Sequence, residues 1–253
     1  MKKSIYKIVL CSLFFLAFAL ITLPIAYSKT GNNINPSDKI FLLTVNSGKV
    51  SGNEKTNFSA LYFRMNLSEK GLTQQAFDYA VKGYEYLKRK GKISDSNVIS
   101  IADFSLSSAK KRLFIIDLDK EEILFNSLVA HGQKTGSEYA TTFSNRPESY
   151  QSSPGFYITS GTYNGKNGYS MHLEGQEVGI NDKAGERAIV MHGAPYVSEN
   201  FIKSRGFIGR SWGCPAVPEN LNKPIIETIK NGTCLFIYTN DNRYLSVSKI
   251  LNS

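Results

Sequence analysis

Cysteine is scarce, three in 253 residues, which is too few for a disulfide scaffold. Histidine is equally scarce, only His131, His172 and His192. Metal sites need clustered His, Cys or carboxylates, and HExxH, CxxC and HxH are all missing, so no metal is expected. No GxGxxG or Walker loop occurs, which argues against a nucleotide or any other cofactor. Lysine and arginine are scattered rather than interleaved with aromatics, so the net charge of +9 does not imply a nucleic-acid partner. There is no internal repeat. A mean hydropathy of −0.22 rules out a multi-span membrane protein. What remains, with 42% apolar and 12% aromatic residues, is ample material for a globular core.

The one long apolar run stands at the start. Lys2, Lys3 and Lys7 precede Ile8 to Ile21, and the small-x-small triplet Ala26-Tyr27-Ser28 follows. This order predicts a secretory signal peptide over residues 1–28, cut near Ser28, with export to the periplasm or cell envelope. The alternative is an uncleaved anchor, because the run nearly suffices for a membrane span. Cys11 lies too early, after the wrong residues, for a lipoprotein cleavage site. Residues 29–57 are polar and turn-rich and read as a flexible linker.

A helical segment is expected over 58–94. Its clearest part is 73–90, where Ala76, Phe77, Ala80, Val81, Tyr84 and Leu87 recur at helical spacing and Gly91 suits the C′ position. The texture then changes. Val98–Phe104, Arg112–Leu118, Ile123–Ala130, Phe156–Ser160, Tyr169–Leu173, Ala188–His192 and Thr233–Thr239 predict strands, with a turn over Asp117–Glu121 and a short helix over Pro224–Lys230. The expectation is a mainly β domain over 95–245 with a few short helices, a C-terminal tail over 246–253, and a monomer.

One constellation carries chemistry. His192-Gly193 ends a predicted strand, and Arg210-Ser211-Trp212-Gly213-Cys214-Pro215 follows, Cys214 lying 22 positions after His192. A thiol with a free pKa of about 8.5 needs a base to attack at neutral pH, and a hydrogen-bonded imidazole can supply one. Gly213 would let backbone amides approach an oxyanion. The alternatives are that Cys214 is a buried small hydrophobe or is disulfide-bonded to Cys234. Cys234 itself lies in an apolar run and reads as structural.

His192-Gly193 with Ser211-Trp212-Gly213-Cys214 resembles the HG…[S/T]-x-G-C signature of murein L,D-transpeptidase catalytic domains, the YkuD-like family. Leu128-Val129-Ala130-His131-Gly132 followed by Ser153-Pro154-Gly155-Phe156-Tyr157 is similar to an upstream part of the same domain. The likeness is to the branch with Gly-Cys-Pro-Ala, here Gly213-Cys214-Pro215-Ala216, and covers about 95–240. It implies a β-sandwich-like fold, a Cys214 nucleophile, a His192 base oriented by the Gly193 carbonyl, and an oxyanion hole from the Gly213 and Cys214 amides. The substrate implied is the peptidoglycan stem peptide, attacked through a thioester acyl-enzyme. An amine acceptor would make the enzyme a transpeptidase and water a carboxypeptidase. A wall-binding module that has lost activity is the non-enzyme alternative.

Ala216 departs from the commoner form of the family, which has arginine two residues after the cysteine. Arg210, Arg205 or Lys203 are candidates to supply that charge. Ser211, Trp212, Arg210 and Tyr157 are the candidate substrate-binding residues, with Trp212 placed either to stack on substrate or to wedge the loop. Ser152 and Ser153 either line the cleft or serve the turn. His131 reads as a turn histidine or a second substrate-side residue.

Overall fold

Helical periodicity gives way to alternation just before Val98, and the architecture follows that switch. The computed structural model describes residues 58–253; the expected signal peptide and linker lie outside the described residues. In chain order the elements are α1 (Phe58–Arg64), α2 (Gln74–Arg89), β1 (Val98–Asp103), β2 (Leu113–Asp117), β3 (Glu122–Ser127), β4 (Gly155–Gly165) and β5 (Gly168–Gly175). Then come β6 (Val190–Gly193), α3 (Glu199–Arg205), β7 (Ala216–Val217), α4 (Glu219–Ile229), β8 (Cys234–Tyr238) and α5 (Asn242–Val247). The strands form one sheet in the order β3-β2-β1-β8-β4-β5-β6-β7. The β1–β8 and β6–β7 pairs are parallel and the rest antiparallel.

Alternation along the central strands sends side chains to two cores. On one face Ile99, Ile101, Phe114, Ile116, Phe236 and Tyr238 pack against Phe77, Ala80, Tyr84 and Leu87 of α2. On the other, Leu113, Ile115, Leu235 and Ile237 share a cluster with Tyr157, Met171, Leu173 and Met191 and with Ile225, Ile226 and Ile229 of α4. Strands far apart in the sheet order thus meet across one core. The sheet folds over itself, as the sandwich-like expectation requires, and a register shift in β4 between Thr159 and Thr162 supplies a bend.

Helix α2 shows why the helical segment belongs to this core. The Ala76 N–H donates to the Thr73 hydroxyl at 3.3 Å, capping the start, and Thr73 Oγ1 donates to Asp103 at 2.7 Å. Gly83 sits in mid-helix, where glycine costs about 1 kcal/mol relative to alanine. A Cβ there would lie 2.0 Å from the Phe156 ring. That ring is fully buried and stacked on Phe236 at 4.2 Å, so it has nowhere to move.

Several boundaries differ from the sequence reading. α4 starts at Glu219, five residues before the expected Pro224, which is instead inside the helix. β6 starts at Val190 rather than Ala188, because Ala188 is left-handed (φ 50°) and cannot continue a strand. α1 falls within the helical segment expected over 58–94, whereas α3, α5 and the two-residue β7 are not among the expected elements. The C-terminal tail over 246–253 packs onto the domain. Ile250 and Leu251 are buried in the α2-side core, and Ser248 Oγ donates to the buried Glu177 carboxylate, which also accepts from Tyr244 at 3.1 Å and the Phe156 N–H at 2.9 Å.

Candidate active site

Three chain segments run side by side at one end of the sheet. β6 pairs with β7 in parallel, His192 opposite Ala216 and Gly193 opposite Val217. Ala130 bridges the same Ala216 from the other side, and Gly132 bridges Ser211. Both His-Gly pairs noticed in the sequence therefore flank the segment that carries Cys214. Cys214 lies two positions before Ala216, about 7 Å of extended chain.

Cys214 is half-buried and free, and so is the buried Cys234. Cys234 packs into the α2-side core whereas Cys214 packs against the α4-side core, which removes the disulfide alternative. The Cys214 thiol donates to the carbonyl of Ala188 at 3.7 Å, a carbonyl aimed by the left-handed backbone there. Burial pushes the thiol up, while the Val190 N–H, the Arg187 charge and Cys214's own N–H pull the other way. The setting favours the thiol form, the one that can donate to the Ala188 carbonyl.

His192 is buried, and burial lowers its imidazole, opposed by the hydrogen bond to Gly193. Nδ1 lies 2.8 Å from the Gly193 carbonyl oxygen. A carbonyl only accepts, so Nδ1 carries the proton and Nε2 keeps its lone pair. The ring is thereby a neutral base of fixed tautomer. This is the orientation expected of Gly193.

The loop between Ser211 and Cys214 is held by its own hydroxyl. Ser211 Oγ donates to the Cys214 carbonyl at 2.6 Å and accepts from the Gly213 N–H at 3.0 Å. Ser211 is buried and braces the loop instead of meeting substrate. The Gly213 N–H, expected in an oxyanion hole, is thus occupied in this conformation, leaving the Cys214 N–H as the other expected donor. Gly213 has φ +125°, and a Cβ would stand 2.7 Å from the Gln151 carbonyl oxygen, so only glycine lets these two segments touch. Ser152 ties them further: its Oγ donates to the Gly213 carbonyl and accepts from the Gly132 N–H, each at 3.0 Å.

Other candidates fall elsewhere. Tyr157 is fully buried, with its hydroxyl donating to the Ser153 carbonyl at 3.0 Å, so it cannot touch substrate. Trp212 is 69% exposed and meets Tyr150 edge-on at 5.5 Å; it is no wedge. Arg210 donates to the Gly136 carbonyl at 3.1 Å, and with Arg205, Tyr196 and Phe207 it lines a cavity of about 270 Å³. Lys203 is exposed on α3. A larger cavity of about 400 Å³ opens beyond Gly193, lined by Leu128, Ala194, Pro218 and Glu219 among others. His172 stacks on Tyr163 at 4.6 Å. Among the described residues no group of three His, Cys, Asp or Glu could hold a metal.

Arg112 and Arg187 escaped the sequence reading. Arg112 is fully buried, and burial brings its guanidinium down to about 9. It donates to the Leu106 carbonyl at 2.7 Å, to the Val129 carbonyl and to His131 Nδ1 at 2.7 Å, and it lies over the Phe104 ring. His131 must then accept at Nδ1 and donate from Nε2 to the Gly136 carbonyl, 3.2 Å away. Burial and the Arg112 charge push it down to about 3. It is a neutral structural residue.

A fixed-tautomer imidazole and a free thiol on adjacent paired segments can support covalent catalysis by sulfur. The sequence as a whole places the chain more narrowly. The profile of the L,D-transpeptidase catalytic domain matches residues 68–238, and the chain belongs to that family. Solved structures with similarity include an L,D-transpeptidase from Mycobacterium smegmatis, at 11% identity over 57% of this chain and 59% of that one, TM-score 0.36. An L,D-transpeptidase from Stackebrandtia nassauensis is 14% identical over 73% and 77%, TM-score 0.35. The helical cell shape determining protein Pgp2 from Campylobacter jejuni is 13% identical over 59% and 50%, TM-score 0.37. The chain spans less than two thirds of the first and third of these. No curated protein sequence matches it.

Proposed function

We propose that this chain is an exported, cysteine-dependent L,D-transpeptidase that acts on peptidoglycan stem peptides in the periplasm or cell envelope. The observation that carries the reading is the hydrogen bond from His192 Nδ1 to the Gly193 carbonyl, which leaves Nε2 as a base on the strand paired with the Cys214 segment. In the proposed cycle Nε2 takes the thiol proton. The thiolate attacks the carbonyl joining the L-centre of the stem's diamino acid to the terminal D-residue. The C–N bond breaks, the leaving amine takes the proton back from His192, and a thioester remains on Cys214. The amine of a second stem then attacks the thioester, restoring the thiol and leaving a cross-link.

The Cys214 N–H supports the developing oxyanion, and the exposed Arg210, Arg205 and Trp212 are the candidates to hold the stem peptide. The test is mass spectrometry of the protein mixed with a carbapenem, an acylating analogue of the donor. One adduct on the peptide containing Cys214, absent from Cys214→Ala, is the expected result. An unmodified Cys214 in folded protein would overturn the assignment and favour a binding module.

A further inference from the structure

Arg187 immediately precedes Ala188, whose carbonyl meets the Cys214 sulfur. Its guanidinium reaches into the 144–153 loop. Nη1 donates to the Ser144 carbonyl at 2.9 Å and to Ser153 Oγ at 2.5 Å. Nη2 donates to Ser149 Oγ at 3.3 Å and to the Gln151 carbonyl. All four acceptors are neutral, and none of the ion pairs among the described residues includes Arg187. A Cβ built on Gly213 would lie 3.3 Å from Nη2, so the cation rests against the residue just before the thiol.

A half-buried cation with only neutral partners is unusual, because desolvation is offset by hydrogen bonds alone and not by a counter-charge. Burial lowers this guanidinium, and the groups that favour its charge are Tyr157 and Cys214. Of these, Tyr157 is itself pushed up by burial and stays neutral. The sulfur is the one partner that becomes an anion during the reaction.

We infer that Arg187 is a positioning residue for Cys214: its guanidinium clamps the 144–153 loop under Gly213 and stabilises the Cys214 thiolate through space. The role rests on the reading of Cys214 as the nucleophile, and it gives the site a cation although position 216 is alanine. The other titratable group that senses Cys214 is Tyr196, from the loop after β6, whose hydroxyl burial and the Cys214 charge raise to about 12, while His192 lies on the strand paired with the segment after Cys214. Arg187 is the one that is cationic throughout the working range.

The test measures the pH dependence of iodoacetamide alkylation on the full chain, following the Cys214 peptide by mass. Cys234 is fully buried and does not interfere. An opposite charge within about 4–6 Å shifts a thiol by about one pH unit or more. Arg187→Gln should therefore move the alkylation midpoint up by about one unit and slow the reaction roughly tenfold at pH 7. Arg187→Lys should keep the midpoint near that of the parent even if it melts earlier, because it retains the charge and loses the fork. Should Arg187→Gln fail to fold, Arg187→His decides the matter, since an imidazole is neutral in the alkaline range where a thiol titrates. A midpoint raised in Arg187→His supports the role, and an unchanged midpoint in that folded variant overturns it. Because the readout is thiol reactivity and not turnover, its failure leaves the carbapenem adduct on Cys214 standing as a separate result.

Discussion

The two His-Gly pairs, His131-Gly132 and His192-Gly193, occupy nearly mirrored positions on either side of the Cys214 segment, yet they are opposite in chemistry. At His131 the Nδ1 atom faces a buried guanidinium, so the ring accepts there, donates from Nε2, and has no lone pair to offer. At His192 the Nδ1 atom faces a carbonyl, so the ring donates there and Nε2 is left basic. One neighbour inverts the tautomer. The same dipeptide at a strand end is a structural tie in one case and the candidate base in the other, and only the third group decides which.

Three experiments would break or sharpen that contrast. The largest effect is expected from His192→Ala, which should slow acylation of Cys214 by about 10²–10⁴-fold, the usual cost of a lost general base, with little change in melting temperature. His131→Ala should do the reverse. If the two variants lose activity equally in folded protein, the tautomer argument is wrong. Next comes Arg112→Met. It leaves the Leu106 and Val129 carbonyls and His131 Nδ1 without a donor, at about 1–3 kcal/mol for each buried group left unsatisfied. Chemical denaturation should show a loss of about 3 kcal/mol or more, and a loss under 1 kcal/mol would mean that Arg112 is not a structural tie.

The smallest effect concerns pH. The folded His131 sits near 3, below its unfolded value of about 6.5, so the unfolded chain binds the extra proton first as pH falls. Stability contributed by the neutral ring is full above pH 6.5 and is lost on going down towards pH 3. The slope is about 1.4 kcal/mol per pH unit, or about 2 kcal/mol between pH 6.5 and 5. His131→Asn should flatten that part of the stability curve, and an unaltered slope would remove His131 as its source. His192 is lowered in the same direction, which places the acid limb of the acylation rate below the ordinary histidine range.

Much of the sheet was legible because its residues alternate. β1, β2 and β8 read directly as strands, and so did the amphipathic stripe of α2. The start of α4 is hidden because a proline ordinarily marks the first turn of a helix, whereas Pro224 lies within α4 beside the apolar face of Ile225, Ile226 and Ile229. β7 is two residues long, too short for any periodicity to show. In the site, the spacing and motif made legible that the His192 strand and the segment carrying Cys214 run side by side. The roles of Ser211, Tyr157 and Gly213 were not legible, because they depend on whether a hydroxyl or amide is already engaged. Arg187 was invisible for a related reason: every acceptor it grips lies tens of residues away in the 144–153 loop, and loop arginines look alike in sequence.

The most direct test of the central reading is incubation of the full chain with purified muropeptides, with products followed by mass and Cys214→Ala run in parallel. The account predicts that the parent protein releases a terminal D-residue and forms a cross-linked product, while the variant, folded to the same melting temperature, does neither. Cross-linking by Cys214→Ala at the parental rate would contradict it.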